Sequence, residues 1–301
     1  MKTKKVLSFS GHDSFPLRHG WLEKAYHSVA TDGVENPFSS ADSIVKFGVG
    51  KNMVTAIKYW AIACNFLEKT KEGFRPSSFA KGLMNGEDPY LEDIDSLWKI
   101  HYELCKNPSN TTIYWIFSHL NTPTFNKDYL ELKLKEFCLE QEQEALPAEK
   151  TLRTDINVAL ALYCGSNAKK LAGEDDIVSP LQDLKLVSIN NDGSYSINSG
   201  RKTTLSDELF LSTVIDFWLD SDRKAGFQSN AVRVDRLLHG PGTPGRIFAM
   251  SETELIERLE RFKELTSGGL YISDTAGLIQ LYKDENFFND STKNKKWSSN
   301  E

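Results

Sequence analysis

Two glycines one residue apart, Gly48-Val49-Gly50, split the stretch from Ser40 to Lys81 into two helical patterns, and that break constrains what the segment can become. Upstream, Ser39 or Ser40 is placed to cap a short helix presenting Ile44, Val45 and Phe47. Downstream, Met53, Val54, Ile57, Trp60, Ala61, Cys64 and Leu67 recur at helical spacing, which predicts an amphipathic helix from about Lys51 to Leu67. The turn Thr70-Lys71-Glu72-Gly73 then separates Phe66–Glu68 from Phe74–Pro76 and predicts a hairpin. Short helix, tight turn, longer helix and hairpin is the plan of a winged helix-turn-helix.

The charge of this segment runs against the rest of the chain. Lys46, Lys51, Lys58, Lys69, Lys71, Arg75 and Lys81 face only Asp42, Glu68 and Glu72, an excess of +4 in a chain of net charge −6. A polyanion responds to such a local patch and not to the net charge. The polar side of the longer helix carries Lys51, Asn52, Thr55, Lys58 and Tyr59, residue types that touch phosphates and base edges. With Lys46, Lys71 and Arg75 they form the expected surface for double-stranded DNA. The competing reading is a winged helix used for protein contacts.

The expected fold is α+β and mainly helical. Its parts are an N-terminal winged helix-turn-helix over residues 1–88, a helical connector over 89–150, a C-terminal winged-helix-like helical domain with small β-hairpins over 151–288, and a disordered tail over 289–301. Gly86-Glu87-Asp88-Pro89 marks the first boundary, and the acidic run from Glu140 to Pro147 marks the second. Asn190-Asn191-Asp192-Gly193 predicts a hairpin between Leu186–Ile189 and Ser194–Ile197. Ser206-Asp207-Glu208 opens a helix to about Leu219, Ser251-Glu252-Thr253-Glu254 caps another to Leu265, and a last hairpin joins Leu270–Ile272 to Leu278–Tyr282. Cys64, Cys105, Cys138 and Cys164 form no C-x-x-C pair, so they read as buried free thiols, which fits a reducing cytoplasm. No stretch is apolar enough for a membrane span, and the N-terminus carries no signal-peptide pattern.

One other cluster concentrates reactive side chains. Between Ser10 and Trp21, His12, Asp13, Arg18 and His19 fall within eight positions. They are candidates for phosphate or metal chemistry, with Arg18 forking onto a phosphate and His12 acting as acid or base. The plainer reading is a helix start, with Asp13 or Ser14 as cap and Arg18 tied to a carboxylate. Glu131-Leu132-Lys133 resembles half of a restriction-type nuclease site but lacks the strand that should precede it. Gly48–Asn52 has the wrong spacing for a P-loop. The glycine loop 240–245 reads as a tight connection, and Trp98 and Trp115 as core residues ahead of base-stacking platforms.

The runs FSGHDSFPLRHGWLEKAY (Phe9 to Tyr26), IVKFGVGKNMVTAIKYWAIACNFLE (Ile44 to Glu68) and GGLYISDTAGLIQLY (Gly268 to Tyr282) together resemble a bacterial family of unknown function linked to DNA phosphorothioation gene clusters. SspB-like DNA-nicking phage-defence proteins are its best-described type. The resemblance implies a DNA-acting protein of the cytoplasm whose partners are a cysteine desulfurase, an ATP-using sulfur activator and an ATPase. It designates no catalytic residue. Two functions follow as expectations: a strand-nicking endonuclease needing a divalent metal, Mg²⁺ or Mn²⁺, or a non-catalytic winged-helix adaptor that recognises DNA and recruits sulfur-transfer enzymes. Regulation of its own operon is a third. The sequence itself shows no cofactor motif and leaves the metal open.

Overall fold

The computed structural model describes residues 7–30, 36–39, 42–141, 146–164, 178–284 and 287. The tail expected from residue 289, the Thr31-Asp32-Gly33 loop, Ser40 and the centre of the acidic run after Glu140 lie outside the described residues. The fold is α+β and mainly helical, with small antiparallel sheets. Two compact units divide it: the described residues of Met1–Ile116 with Leu120–Asn198, and those of Phe117–His119 with Ser199–Glu301.

In the first unit α1 (Trp21–Ala30) packs on α3 (Lys51–Ala63), and α2 (Ser43–Phe47) precedes α3. Their shared core holds Leu17, Trp21, Ala25, Phe47, Val54, Ile57 and Trp60, all nearly dry. Asp42 takes the N-cap position of α2 in place of the expected serine, without a side-chain cap bond. The helix stops at Gly48, whose φ of +65° is cheap only for glycine, and whose N–H donates to Ile44 O at 2.9 Å.

α3 ends at Ala63, short of the expected Leu67. Asn65 turns the chain at φ +57°, and Phe66 N–H closes the helix end on Ala61 O at 2.8 Å. Phe66 and Leu67 stay buried beyond the turn, so the apolar pattern runs on while the backbone changes. The hairpin pairs β1 (Leu67–Lys69) with β2 (Phe74–Pro76), Glu68 lying opposite Arg75. Ser77 caps α4 (Ser78–Gly82), accepting from Ala80 N–H at 2.9 Å, and a π-helical turn follows at Leu83–Glu87.

The expected breaks after residues 88 and 150 both fall inside this unit. Asn110, between α5 (Ile94–Lys106) and α6 (Thr111–Ser118), donates to Ala63 O at 3.0 Å and Leu104 O at 2.8 Å. That side chain ties the supposed connector to the end of α3. Trp98 and Trp115 are core residues at 0% and 4% exposure. Two residues, Thr124–Phe125, form β3, and α7 (Lys127–Glu140) packs on α8 (Glu149–Cys164). The hairpin of β4 (Val187–Ile189) and β5 (Tyr195–Ile197) forms as expected, but β5 also pairs with β3, and β4 rests on α8. The pairing explains why this hairpin belongs to the first unit and not to a C-terminal domain starting at 151.

The second unit contains α9 (Asp207–Ala225), capped by Ser206 and ended by Gly226, well past the expected Leu219. β6 (Ala231–Arg233) leads into α10 (Val234–His239), α11 (Pro244–Ile247) and α12 (Glu252–Leu265). β7 (Leu270–Thr275) and β8 (Leu278–Lys283) turn through Ala276 and Gly277, both at positive φ, the geometry of a type I′ hairpin. β6 adds to the other side of β8. The close packing of α11 on α10 needs glycine: a Cβ on Gly245 would lie 2.6 Å from Leu237 O. No helix among the described residues is long and apolar enough to cross a membrane.

The second unit also buries a polar cluster. The Glu254 carboxylate accepts from Lys202 N–H at 2.8 Å and from Arg258 Nε at 3.2 Å. Arg258 also donates to Lys202 O, Leu205 O and Asp207 Oδ1 at 2.7, 3.1 and 2.7 Å. Lys202 Nζ caps Gly200 O and Ala249 O. Burial pushes the Lys202 ammonium down to about 8, against the pull of Glu254 and with the repulsion of Arg258. The folded chain therefore releases this proton near pH 8, while the unfolded chain keeps it to about 10.5. Stability should rise with pH across that window, because the unfolded state binds the extra proton. Urea denaturation of wild type and Lys202→Met at a series of pH values checks this: the difference between them should tilt in favour of wild type as pH rises, and a flat difference refutes it.

Candidate nucleic-acid interface

α3 buries one side and leaves the other to solvent. Val54, Ala56, Ile57, Trp60, Ala61 and Ala63 face the core, as a 3.6-residue period requires. Lys51 and Asn52 are exposed, and Thr55 and Lys58 half-exposed, on the opposite side. The Thr55 hydroxyl bonds back to Lys51 O at 3.4 Å, so it presents its methyl and an acceptor outward. No acid lies in the first turn of α3, and Gly50 caps the helix without a side-chain bond. Among the described residues, the side chains of Lys51 and Lys58 have no ion-pair partner. Lys51 and Asn52 stand open to solvent, and α3 itself carries no acid.

The remaining expected contacts differ in availability. Lys71 sits exposed at the β1–β2 turn. Arg75 is held across the hairpin by Glu68, with Nη2 and Nε at 2.7 and 2.9 Å from Oε2. Its charge is locally cancelled. Lys46 reaches back to Ser28 O at 3.5 Å, near the C-terminal end of α1. Tyr59 leaves the face altogether. Its ring meets His12 edge-on at 5.5 Å and lies so close to Gly11 that a Cβ there would be 2.4 Å from Cδ2. Burial, and then the charge of Asp155, push the Tyr59 phenol far above its ordinary value.

The segment holding His12, Asp13, Arg18 and His19 is a strap laid over α3. Ser10, Asp13 and Ser14 all take positive φ. The strap is pinned at its middle by Asp155 of α8, which accepts Ser10 N–H at 2.9 Å and His12 Nε2–H at 3.1 Å through Oδ1. His12 Nδ1 accepts Ser14 N–H at 3.2 Å, which fixes the proton on Nε2. The imidazole stacks on Trp60 at 6.0 Å, and Trp60 Nε1 donates to Phe15 O at 2.9 Å. Ser8 N–H bonds Thr111 Oγ1 at 2.8 Å. A void of about 10 Å³ between His12, Tyr59, Thr111 and Asp155 has room for a single water.

The four candidates are thus placed differently. His12 is interior, with both ring nitrogens engaged. Arg18 lies over Phe15 and Trp21 at 5.5 and 5.2 Å, with Nη1 3.8 Å from Met53 Sδ. Asp13 and His19 are exposed. Asp155 was missed, although an acid among the apolar positions Leu152, Ile156, Val158 and Ala159 of α8 was a readable signal. A second polar group, His101 with Tyr163 Oη at 2.8 Å and Cys105, is sealed in the core. Among the described residues, no three His, Cys, Asp or Glu side chains converge as metal ligands.

Residues 9–295 match the family described as protein of unknown function DUF4007. The chain belongs to the DUF4007 family. Two solved structures are similar to this DUF4007 chain. One, described as an SspB crystal structure, is 26% identical with a TM-score of 0.82, covering 95% of this chain and 86% of that one. The other, a magnesium ion-bound SspB crystal structure, is 24% identical with a TM-score of 0.81, covering 97% and 90%. The DUF4007 chain is SspB-like along nearly its whole length. No curated protein matches it.

The strap makes a stability prediction. Asp155→Ala leaves Ser10 N–H and His12 Nε2–H without an acceptor in the interior, which should cost about 2–4 kcal/mol. Gly11→Ala forces Tyr59 aside and should cost about 1–3 kcal/mol. Denaturant midpoints measure both, and an Asp155→Ala protein as stable as wild type would show that the pin carries no load.

Proposed function

We propose that this protein is the DNA-binding component of a bacterial DNA phosphorothioation and phage-defence system. In this reading it grips duplex DNA through an N-terminal winged helix-turn-helix. The order α1, α2, α3, β1, β2, with a glycine turn before α3, supports the winged-helix assignment. The SspB-like fold supports the system. The observation that carries DNA binding is the α3 face, where Lys51, Asn52, Thr55 and Lys58 are open and α3 itself bears no acid. Lys51 and Lys58 would hold phosphates, Asn52 and Thr55 would meet base edges, and Lys71 would follow the backbone from the hairpin tip. Arg75 would join only by exchanging Glu68 for a phosphate. The partners in this reading are the cysteine desulfurase, the ATP-using sulfur activator and the ATPase of the same cytoplasmic system, with the protein acting as the adaptor between them and DNA.

Lys51→Glu with Lys58→Glu tests the face. The double variant should bind duplex DNA at least about tenfold more weakly, and the slope of log affinity against log salt should fall by about 2. An unchanged slope moves the docking surface elsewhere.

Strand nicking is the second reading. It is favoured by the magnesium-bound state of one SspB structure and by the strained Ser10–Ser14 turn, which holds Asp13 and Ser14 in solvent. Asp13 and His19 are its accessible candidates; Arg18 and the buried His12 would position them. Supercoiled plasmid incubated with the protein and Mg²⁺ or Mn²⁺ separates the readings. Open-circle product lost in Asp13→Ala or His19→Ala supports nicking. Shifted bands with an intact plasmid under either metal support the adaptor.

A further inference from the structure

The α2 helix leaves an aliphatic pair in water beside the lysine face. Ser43 and Phe47 occupy its buried side, while Val45 is 82% exposed and Ile44 45%. The two are adjacent, β-branched and therefore stiff. Their helix closes on the glycine turn and packs against α3. Gly48 N–H donates to Ile44 O at 2.9 Å and Val45 O at 3.2 Å, and Val49 N–H reaches Ile44 O at 3.3 Å. The glycine turn joins this closed end of α2 to the start of α3, where Lys51 and Asn52 lie.

The charges around the pair select what can cover it. Lys46 adjoins the pair and Lys51 and Lys58 lie on α3, opposed by Asp42 at the α2 N-cap, and neither helix has an acid in its first turn. An occupant must therefore be anionic and still offer something apolar. Resting on the DNA-binding reading above, the occupant is a duplex, and the one apolar group a duplex displays in its major groove is the C5-methyl of thymine. Asn52, with an amide suited to adenine N6 and N7, is exposed at the start of α3.

We infer that Ile44 and Val45 contact thymine methyl groups in the major groove, giving the protein a preference for thymine-containing duplexes beyond its hold on phosphates. The probe is a pool of mixed-sequence duplexes made with thymine and again with uracil in its place, which removes only the methyls. The full chain should bind the uracil pool about three- to fivefold more weakly for each methyl contacted, from the burial of one carbon. The salt slope should be the same for both pools, since no phosphate changes. Ile44→Ser with Val45→Ser, which removes the aliphatic groups at two exposed positions, should bind both pools alike and keep that slope.

Equal affinity of wild type for the two pools overturns the inference and leaves DNA binding standing. A uracil penalty that persists in full in the Ile44→Ser, Val45→Ser protein overturns the inference, since it then arises from duplex shape. Failure of wild type to bind either pool removes the DNA reading and this inference with it.

Discussion

A carboxylate with 5% of its surface in water must find donors inside the protein, and Asp155 finds them on the strap, in Ser10 N–H and the His12 ring. Much of the first unit is arranged around that need. His12 can donate to Asp155 only in the tautomer that Ser14 N–H imposes, and it can lie flat on Trp60 only if the chain bends through three left-handed residues. Trp60 in turn is the largest core side chain of α3. The outer face of that helix is therefore steadied from behind: α8 holds the strap, the strap holds Trp60, and Tyr59 fills the space that Gly11 leaves open. The reactive-looking residues of the strap are in good part the fittings of this joint.

The basic segment is more selective than its residue count suggests. Arg75 spends its charge on Glu68, and Lys46 on a helix-end carbonyl. What stays open is a short row on α3 with Lys71 at the hairpin tip. Two lysines and two uncharged polar residues share that side of the helix. The α2 helix, which packs on α3, adds an exposed aliphatic pair of different chemistry.

Local rules made most of the elements readable. Ser206 and Ser251 cap the helices they precede, Asp192-Gly193 and Ala276-Gly277 turn their hairpins, and the apolar stripe of α3 marks its buried side. What stayed hidden depends on partners distant in sequence. Asn110 erased the boundary expected after residue 88 by bonding to Ala63, and β3, only two residues long, captured the β4–β5 hairpin for the first unit. The end of α3 was misread because Phe66 and Leu67 continue the burial after Asn65 has turned the backbone. Of the expected DNA face, the helical spacing of Lys51, Asn52, Thr55 and Lys58 was legible, and the cross-strand register that pairs Glu68 with Arg75 could have been read from the hairpin. The turn of Tyr59 toward Gly11 could not, since it needs the strap in place.

Ser10 and Asp155 are separated by 145 positions along the chain, and this sets a timetable for synthesis. A polypeptide emerging from the ribosome makes its first helices early, yet the carboxylate that must seat them is translated long afterwards. Until α8 is made, Ser10 N–H and the His12 ring lack the Asp155 carboxylate that pins the strap. Maturation of the first unit is therefore a late, long-range closure, and a chain truncated before α8 would lack the residue that completes its beginning.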